Sequence, residues 1–288
     1  MVRIVGMSAL LLLALAAPGT AQAVAGAGEN DRWKDANWVD DFNFLSANAL
    51  LGGLTAGVVS KLRKGSFKDG FLDGALGGGV TYLGKRLSAA RFSGAGFLGR
   101  EVAAVGGSIV RNGSLGVGTF DTLVLPLGPL KAFVTPSALR RTRIRLDLYQ
   151  TGYLLAALSE ERLALDWRRT FSAGAPVFLT DAMIQGEDGF VSGTMGGGVI
   201  VLGRGTNNAK DDTFAHERVH VAQMDFFEIS FGLSLERWAR TKVGMGRIPL
   251  LDHTVLGVGF YPAYIPLVYL GDYSDRWLEV EAYFLEGR

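Results

Sequence analysis

The chain has 288 residues, a formal net charge of +1, 48% hydrophobic residues, 40 glycines, three histidines and no cysteine. The missing cysteines exclude disulfides, thiolate metal ligands, a cysteine nucleophile and a lipid-modified N-terminal cysteine. The balanced charge, without a basic stripe, gives no support to nucleic-acid binding, so we expect a chain held together by its apolar core.

The first 23 residues have the pattern of a secretory signal peptide. Arg3 provides a positive start, Ser8–Ala17 an apolar core, and Ala21-Gln22-Ala23 a small-x-small cleavage site. The apolar core is too short to span a bilayer comfortably, which disfavours the alternative of an uncleaved anchor. We therefore expect the mature chain to start near Val24 and to work in the periplasm, in the cell envelope or outside the cell.

After a polar N-terminal arm at 24–43, residues 44–118 form a glycine-rich region. It contains three stretches of helical length, at 45–62, 67–87 and 94–110. Small residues recur in each at three- and four-residue intervals, a spacing that lets helix backbones approach closely. One interpretation is a set of helices that contact a membrane, and the other is a tightly packed helical layer in a globular protein. Charged residues interrupt the apolar runs too often for true spans, which favours the packed layer and leaves shallow membrane contact open.

A run inside this region resembles a phosphate-binding loop. Gly79–Lys85 matches most of the pattern, but Arg86 stands where the magnesium-binding hydroxyl is needed. No predicted strand leads into the run, and the abundance of glycine explains the match. We expect no nucleotide ligand.

Residues 119–205 change to a β pattern. Ile144, Leu146 and Leu148 alternate with basic or polar residues, which is typical of a half-buried strand. Short apolar segments separated by turn residues lie on both sides of them. The pattern predicts an antiparallel meander of five to seven strands, whose last strand, within 196–203, is placed at the sheet edge beside a cleft.

The remaining residues, 206–288, are predicted to be mainly helical, with a final helix at the tail. Within them, 254–271 is an uncharged apolar run that Pro262 and Pro266 divide, so a buried or re-entrant segment is favoured over a membrane crossing. The whole pattern predicts an α+β fold, with glycine-rich N-terminal helices, a central antiparallel β-meander and a C-terminal helical portion.

Two of the three histidines stand four residues apart, in the segment His216-Glu217-Arg218-Val219-His220. On a helix this spacing puts both imidazoles on one face, one turn apart, where both can reach one ion. Glu217 lies about 100° round the helix from His216, close enough to act on a metal-bound water without binding the ion itself. Without cysteine, histidine and carboxylate are the strong ligands left, and the pattern predicts Zn2+. The alternative is a surface helix with two histidines and no metal.

The segment TFAHERVHVAQ, residues 213–223, resembles the active helix of zincin metallopeptidases, and its HExxHxxQ pattern is similar to bacterial gluzincins and membrane-associated CAAX-type peptidases. In gluzincins the third zinc ligand is a glutamate on a later helix, often within E-x-x-A-D. The resemblance implies that Glu279 is this ligand, with Glu281 as the alternative in a shifted register. Tyr283 stands in place of the usual aspartate, so the pattern supplies no aspartate to support a zinc-binding histidine. His253 is a weaker candidate ligand and is expected in a loop.

The resemblance implies an exported zinc-dependent metallopeptidase. His216, His220 and Glu279 would bind zinc, and Glu217 would be the general base that activates a metal-bound water against a peptide bond. Residues 119–288 would form one zincin-like domain, in which the edge strand pairs with an extended peptide or protein substrate.

The alternative is a non-catalytic cell-envelope or membrane-associated protein. Its membrane contacts would be 44–118 and 254–271, and its histidine helix would be structural or bind metal only for stability. The two hypotheses differ in whether Glu217 has a chemical role.

Overall fold

A computed structural model describes residues 38–181, 184–186, 189–191, 193–203, 211–236, 240, 253–257 and 277–286. The predicted signal peptide, most of the polar arm and most of the 254–271 run lie outside the described residues. The fold class is α+β, as the sequence predicted, with helices packed on small mixed sheets.

Three consecutive helices make up the glycine-rich layer: α1 (Trp38–Leu62), α2 (Phe67–Ala89) and α3 (Ala95–Leu115). Their glycines lie where the backbones touch. A Cβ on Gly78 would lie 2.0 Å from the carbonyl oxygen of Asn48, and one on Gly84 would lie 2.3 Å from the amide nitrogen of Ala103. Real Cβ atoms essentially never come within 3.0 Å of such atoms, so only glycine permits this approach.

α1 is long and apolar enough to cross a membrane by length and composition alone. Its 18-residue window has a mean hydropathy of 1.4, and 39% of that window is buried inside the protein. A core helix of a globular protein has the same properties, so membrane contact stays a prediction. On α2, Leu72, Leu76 and Leu83 are exposed and share the helix face that points away from the neighbouring helices.

The first sheet has the order β1, β2, β3, β10. These strands are Leu123–Leu127, Leu130–Val134, Arg143–Asp147 and Thr254–Val255. β1, β2 and β3 are antiparallel, whereas β10 runs parallel to β3. A 3-10 helix at Pro136–Arg141 connects β2 to β3.

The second sheet has the order β4, β5, β9, β8. These strands are Leu163–Leu165, Val177–Thr180, Val199–Gly203 and Gly193–Gly196. β5 and β9 are parallel, and the other neighbours are antiparallel. A separate hairpin joins β6 (Ile184–Gly186) to β7 (Gly189–Val191).

The predicted antiparallel meander is wrong in its details, because helices interrupt it and one central pair is parallel. α4 (Leu148–Ser159) directly follows β3, and α5 (Trp167–Ala173) follows β4. Both start at an aspartate cap: the Asp147 side chain accepts from the Gln150 amide at 3.0 Å, and Asp166 accepts from the Arg169 amide at 2.9 Å. An apolar run of this length fits a helix as well as a strand, and these caps decide for the helix.

The strand at 199–203 was predicted at the sheet edge, and the structure places it in the interior. β9 lies between β5 and β8, so β8 is the edge strand on this side. β9 pairs on one side with β5, to which it is parallel, and on the other side with β8, to which it is antiparallel. β8 is therefore the outermost strand.

The central element is α6 (Asp211–Phe227), which continues into a π-helical turn at Glu228–Gly232. Val219 packs with Tyr82 of α2, Val221 with Ile200 of β9, and the adjacent Met224 with Leu51 of α1. The last helix, α7 (Trp277–Glu286), also packs against α6. Because α6 has neighbours on several sides, its polar side chains must find partners inside the protein.

Candidate metal centre

The candidate site is formed by one face of α6 and one face of α7. His216 and His220 are buried, and Glu279 of α7 reaches both of them. The His216 Nε2 and His220 Nε2 atoms are 2.9 Å apart, and each lies 3.2 Å from Glu279 Oε2. The structure thus brings together the three ligands that the sequence predicted, His216, His220 and Glu279, as a group that could hold a metal ion.

The outer nitrogens of both histidine rings face oxygen atoms. His216 Nδ1 lies 3.1 Å from Glu286 Oε2, and His220 Nδ1 lies 2.8 Å from Gln223 Oε1. An unprotonated Nδ1 would put a lone pair against each oxygen, so both Nδ1 atoms are assigned as donors. In a neutral imidazole the proton on Nδ1 leaves a lone pair on Nε2.

Three lone pairs therefore converge where the two Nε2 atoms and Glu279 Oε2 meet. Such a group is stable only with a cation or added protons between its members. The triangle edges of 2.9, 3.2 and 3.2 Å are close to the separation of about 3.3 Å expected between ligands of a tetrahedral zinc ion. Two imidazoles and one carboxylate are also a donor set that zinc accepts in catalytic sites. The residues fit a zinc ion.

Glu281, the alternative third ligand, points away from this site. Its Oε2 accepts from Lys85 Nζ at 2.7 Å and from Gln223 Nε2 at 2.8 Å, and its Oε1 accepts from Asn48 Nδ2 at 2.6 Å. Residues two apart on a helix lie about 200° apart around it, so Glu279 and Glu281 cannot face the same side of α7. The described structure therefore favours Glu279.

His253 lies elsewhere. It occupies an exposed turn before β10, where its backbone carbonyl accepts from the Leu146 amide at 3.0 Å. Its expected position in a loop agrees with this placement.

Glu286 is the site residue that the sequence reasoning missed. Its carboxylate accepts from His216 Nδ1, which is the support that the missing aspartate would have given. The Tyr283 ring lies 4.4 Å from the His216 ring, centre to centre. Residues 279, 283 and 286 are spaced four and seven apart, so they share one helix face. That spacing is the signal that could have identified Glu286. A carboxylate on the outer nitrogen fixes the ring and raises the basicity of the ligating nitrogen.

Glu217 is buried beside the two histidines. Burial raises the pKa of its carboxyl above the ordinary value; His216 and His220 oppose this shift, and Glu279 and Glu286 add to it. The protonation of Glu217 is therefore sensitive to the charge that the site holds.

The histidines carry a raised pKa without a metal. Burial lowers the pKa of His216, but hydrogen bonds to Glu279 and Glu286 outweigh this and raise it to about 10. The pKa of His220 is also raised, since Glu279 outweighs its burial, and the histidines in turn lower the pKa of Glu279 despite its burial. The carboxylates thus favour positive charge in this pocket, and a metal ion would compete with protons for the histidine nitrogens.

No protein-family model, no curated protein and no solved structure matches the chain. The function therefore has to be inferred from the geometry of the site.

Proposed function

We propose that the chain is an exported zinc-dependent metallopeptidase. The observation that carries this proposal is the convergence of His216 Nε2, His220 Nε2 and Glu279 Oε2 within 3.2 Å of one another, with both outer ring nitrogens already bonded to oxygen. Three protein ligands are typical of a catalytic zinc site, which keeps its fourth position for water or substrate.

The residues divide into ligands and a base. His216, His220 and Glu279 would hold the ion. A bound zinc supplies a water of lowered pKa, about 7, and polarises a carbonyl group. Glu217 would take the proton from the attacking water and then deliver it to the leaving amine. Burial raises the pKa of its carboxyl, which favours a group that both accepts and releases a proton.

The adjacent sheet supports an extended peptide as substrate. β8 (Gly193–Gly196) is the outermost strand of the second sheet and packs against α6. Its outer edge has no partner strand among the described residues, so its backbone groups can pair with an extended chain, as in β-augmentation. Such a chain would lie next to the helix that carries the two histidines.

The first experiment is metal analysis of the purified protein. We expect about one zinc per chain, and loss of zinc in the His216→Ala and His220→Ala variants with the fold retained by circular dichroism. A screen of the same preparations against a peptide library should give cleavage by the wild type only. A metal-free wild type whose histidine variants fold identically would contradict the proposal.

Export is proposed from residues 1–23 alone. N-terminal sequencing of the protein recovered from the producing cells should start near Val24. A mature protein that still starts at Met1 and remains in the cytoplasm would refute it.

A second candidate is a non-catalytic envelope or membrane-associated protein in which metal serves stability. The depth of the site favours it, because the side chains of His216, His220 and Glu279 are only 7%, 9% and 13% exposed. In that case zinc removal would lower the melting temperature, no library peptide would be cleaved, and the protein would co-sediment with vesicles. Cleavage that depends on Glu217 would exclude it.

A further inference from the structure

A buried network joins the glycine-rich layer to α7. The Lys85 ammonium of α2 has no exposed surface and donates to Glu281 Oε2 at 2.7 Å and to Asn48 Oδ1 at 2.8 Å. Asn48 of α1 donates in turn to Glu281 Oε1 at 2.6 Å and to the Phe44 carbonyl at 2.9 Å. Helices α1, α2 and α7 therefore meet at one carboxylate.

This carboxylate also orients an amide beside the metal centre. Gln223 Nε2 donates to Glu281 Oε2 at 2.8 Å and to the Leu278 carbonyl at 3.0 Å. Both acceptors lack hydrogens, so a flipped amide would place its oxygen against two other oxygens. The flip is excluded as long as Glu281 stays an acceptor, and Gln223 Oε1 must then face His220 Nδ1, which is 2.8 Å away.

The orientation of Gln223 determines which nitrogen of His220 can bind metal. With Oε1 towards the ring, Nδ1 carries the proton and Nε2 presents its lone pair to the site shared with His216 and Glu279. With the amide reversed, its NH2 group would face Nδ1 and favour the tautomer with hydrogen on Nε2. In that tautomer Nε2 has no lone pair for a metal.

We propose that Lys85, Asn48 and Glu281 are positioning residues that hold His220 in its metal-binding tautomer through Gln223, so that the glycine-rich layer is part of the metal centre. This rests on the proposed function only in requiring that His220 binds a metal.

A contribution to stability alone does not explain the buried ion pair between Lys85 and Glu281. Replacing a buried ion pair with apolar side chains of similar size is often neutral or stabilising, because desolvation offsets the attraction. An apolar residue at 281 would, however, leave the Gln223 amide without the acceptor that sets its orientation. The position needs acceptor oxygens, and acceptors buried there need donors such as Lys85 and Asn48.

The test measures zinc affinity by chelator competition under conditions where each metal-free variant is folded. Glu281→Gln keeps the shape but turns an NH2 group towards donors, and we expect zinc affinity to fall about 10- to 100-fold. The double variant Lys85→Met/Glu281→Met removes the charges together and should show the same loss with little change in stability. The visible spectrum of cobalt(II) in the site should change in both variants, because the coordination geometry changes.

Asp225→Asn is the matched control. Asp225 of α6 forms a buried ion pair with Arg100 of α3, in which Arg100 Nε lies 2.5 Å from the carboxylate, and within the described part of the chain no hydrogen bond joins either residue to the histidines. This variant should lose stability and keep wild-type zinc affinity and cobalt spectrum. Equal effects in Asp225→Asn and Glu281→Gln, or no effect in Glu281→Gln, would overturn the proposal.

A double-mutant cycle separates the route through Gln223 from a general loosening. Gln223→Leu should weaken zinc binding, and adding Glu281→Gln should weaken it no further, since both changes remove the same orienting contact. Additive losses would overturn the proposal. A wild type that binds no zinc would instead refute the proposed function, so the two failures are distinguishable.

Discussion

Two parts of α6 and its π-helical continuation are buried, the near end with His216 and His220 and the far end with Asp225 and Glu228, but they balance their charges in different ways. At the far end, Asp225 pairs with Arg100 of α3, and Glu228 pairs with Lys131 of β2, which also lies 2.9 Å from Asp147. Burial raises the pKa of Glu228 well above its ordinary value, whereas the neighbouring Lys131 opposes this shift and Asp147 adds to it. At this end, cationic side chains of the protein itself balance the buried carboxylates.

At the near end the carboxylates of Glu279 and Glu286 face histidines instead. Among the described residues, no lysine or arginine contacts either carboxylate, and the converging atoms are all acceptors once both outer ring nitrogens are protonated. Desolvated carboxylates require a positive partner. The comparison indicates that protons on the histidines, or a metal ion in their place, balance the near end, whereas lysine and arginine side chains balance the far end.

The largest effect is expected at the proposed base. Glu217→Gln should lower kcat/KM about 10²- to 10⁴-fold, the usual contribution of a general base, while zinc content stays at the wild-type level. Steady-state kinetics on a cleaved library peptide, with elemental analysis of the same sample, checks this. Undiminished cleavage with zinc retained would show that Glu217 is not the base.

Removing the Arg100–Asp225 ion pair at the far end should lower the free energy of unfolding and leave zinc binding unchanged. Arg100→Met leaves Asp225 buried without its cation, so the free energy of unfolding should fall by about 3–5 kcal/mol. Urea unfolding measures this loss, and zinc competition on the folded variant should give the wild-type affinity. A drop in zinc affinity would mean that the two ends of α6 are coupled.

Removing the Glu286 contact to His216 at the near end should lower the affinity for zinc instead. Glu286→Gln replaces the acceptor of His216 Nδ1 with an amide, and zinc should bind about 10- to 100-fold more weakly. Chelator competition checks the affinity. Tyr283→Phe, on the same helix face, is the control and should bind zinc like the wild type.

The near end should also make the metal-free protein sensitive to pH. The pKa of His216 is raised from 6.5 to about 10 on folding, so the folded state binds more protons than the unfolded state within that window. The free energy of unfolding should therefore decrease as pH rises through the window, by up to about 5 kcal/mol, since one pKa unit corresponds to about 1.4 kcal/mol.

Urea unfolding of EDTA-treated and zinc-loaded protein at pH near 6.5 and near 10 measures this effect. Zinc replaces the protons, so the stabilisation by zinc should be greatest at the upper end of the window. A metal-free protein whose stability is flat or rises with pH would contradict the assigned charge of the pocket.

Local patterns were predicted well where helical periodicity carried the signal. The small-residue spacing at 45–62, 67–87 and 94–110 predicted α1, α2 and α3, and the HExxH segment predicted a helix that the structure forms at Asp211–Phe227. Glu279 was named from its motif and faces both histidines. The meander and the edge position of the 199–203 strand were wrong, because strand order and direction depend on contacts distant in sequence.

The sequence by itself determined that two histidines lie one turn apart with a glutamate beside them, and that the chain offers no thiolate in competition. Helical periodicity links these residues locally, so their relative placement follows from spacing alone. Only the tertiary structure decided that Glu281 faces Lys85 while Glu279 faces the histidines, and that Glu286 supports His216. These choices depend on how α7 rotates against α6 and the glycine-rich layer, and that rotation is set by packing between segments as much as 233 residues apart in the chain.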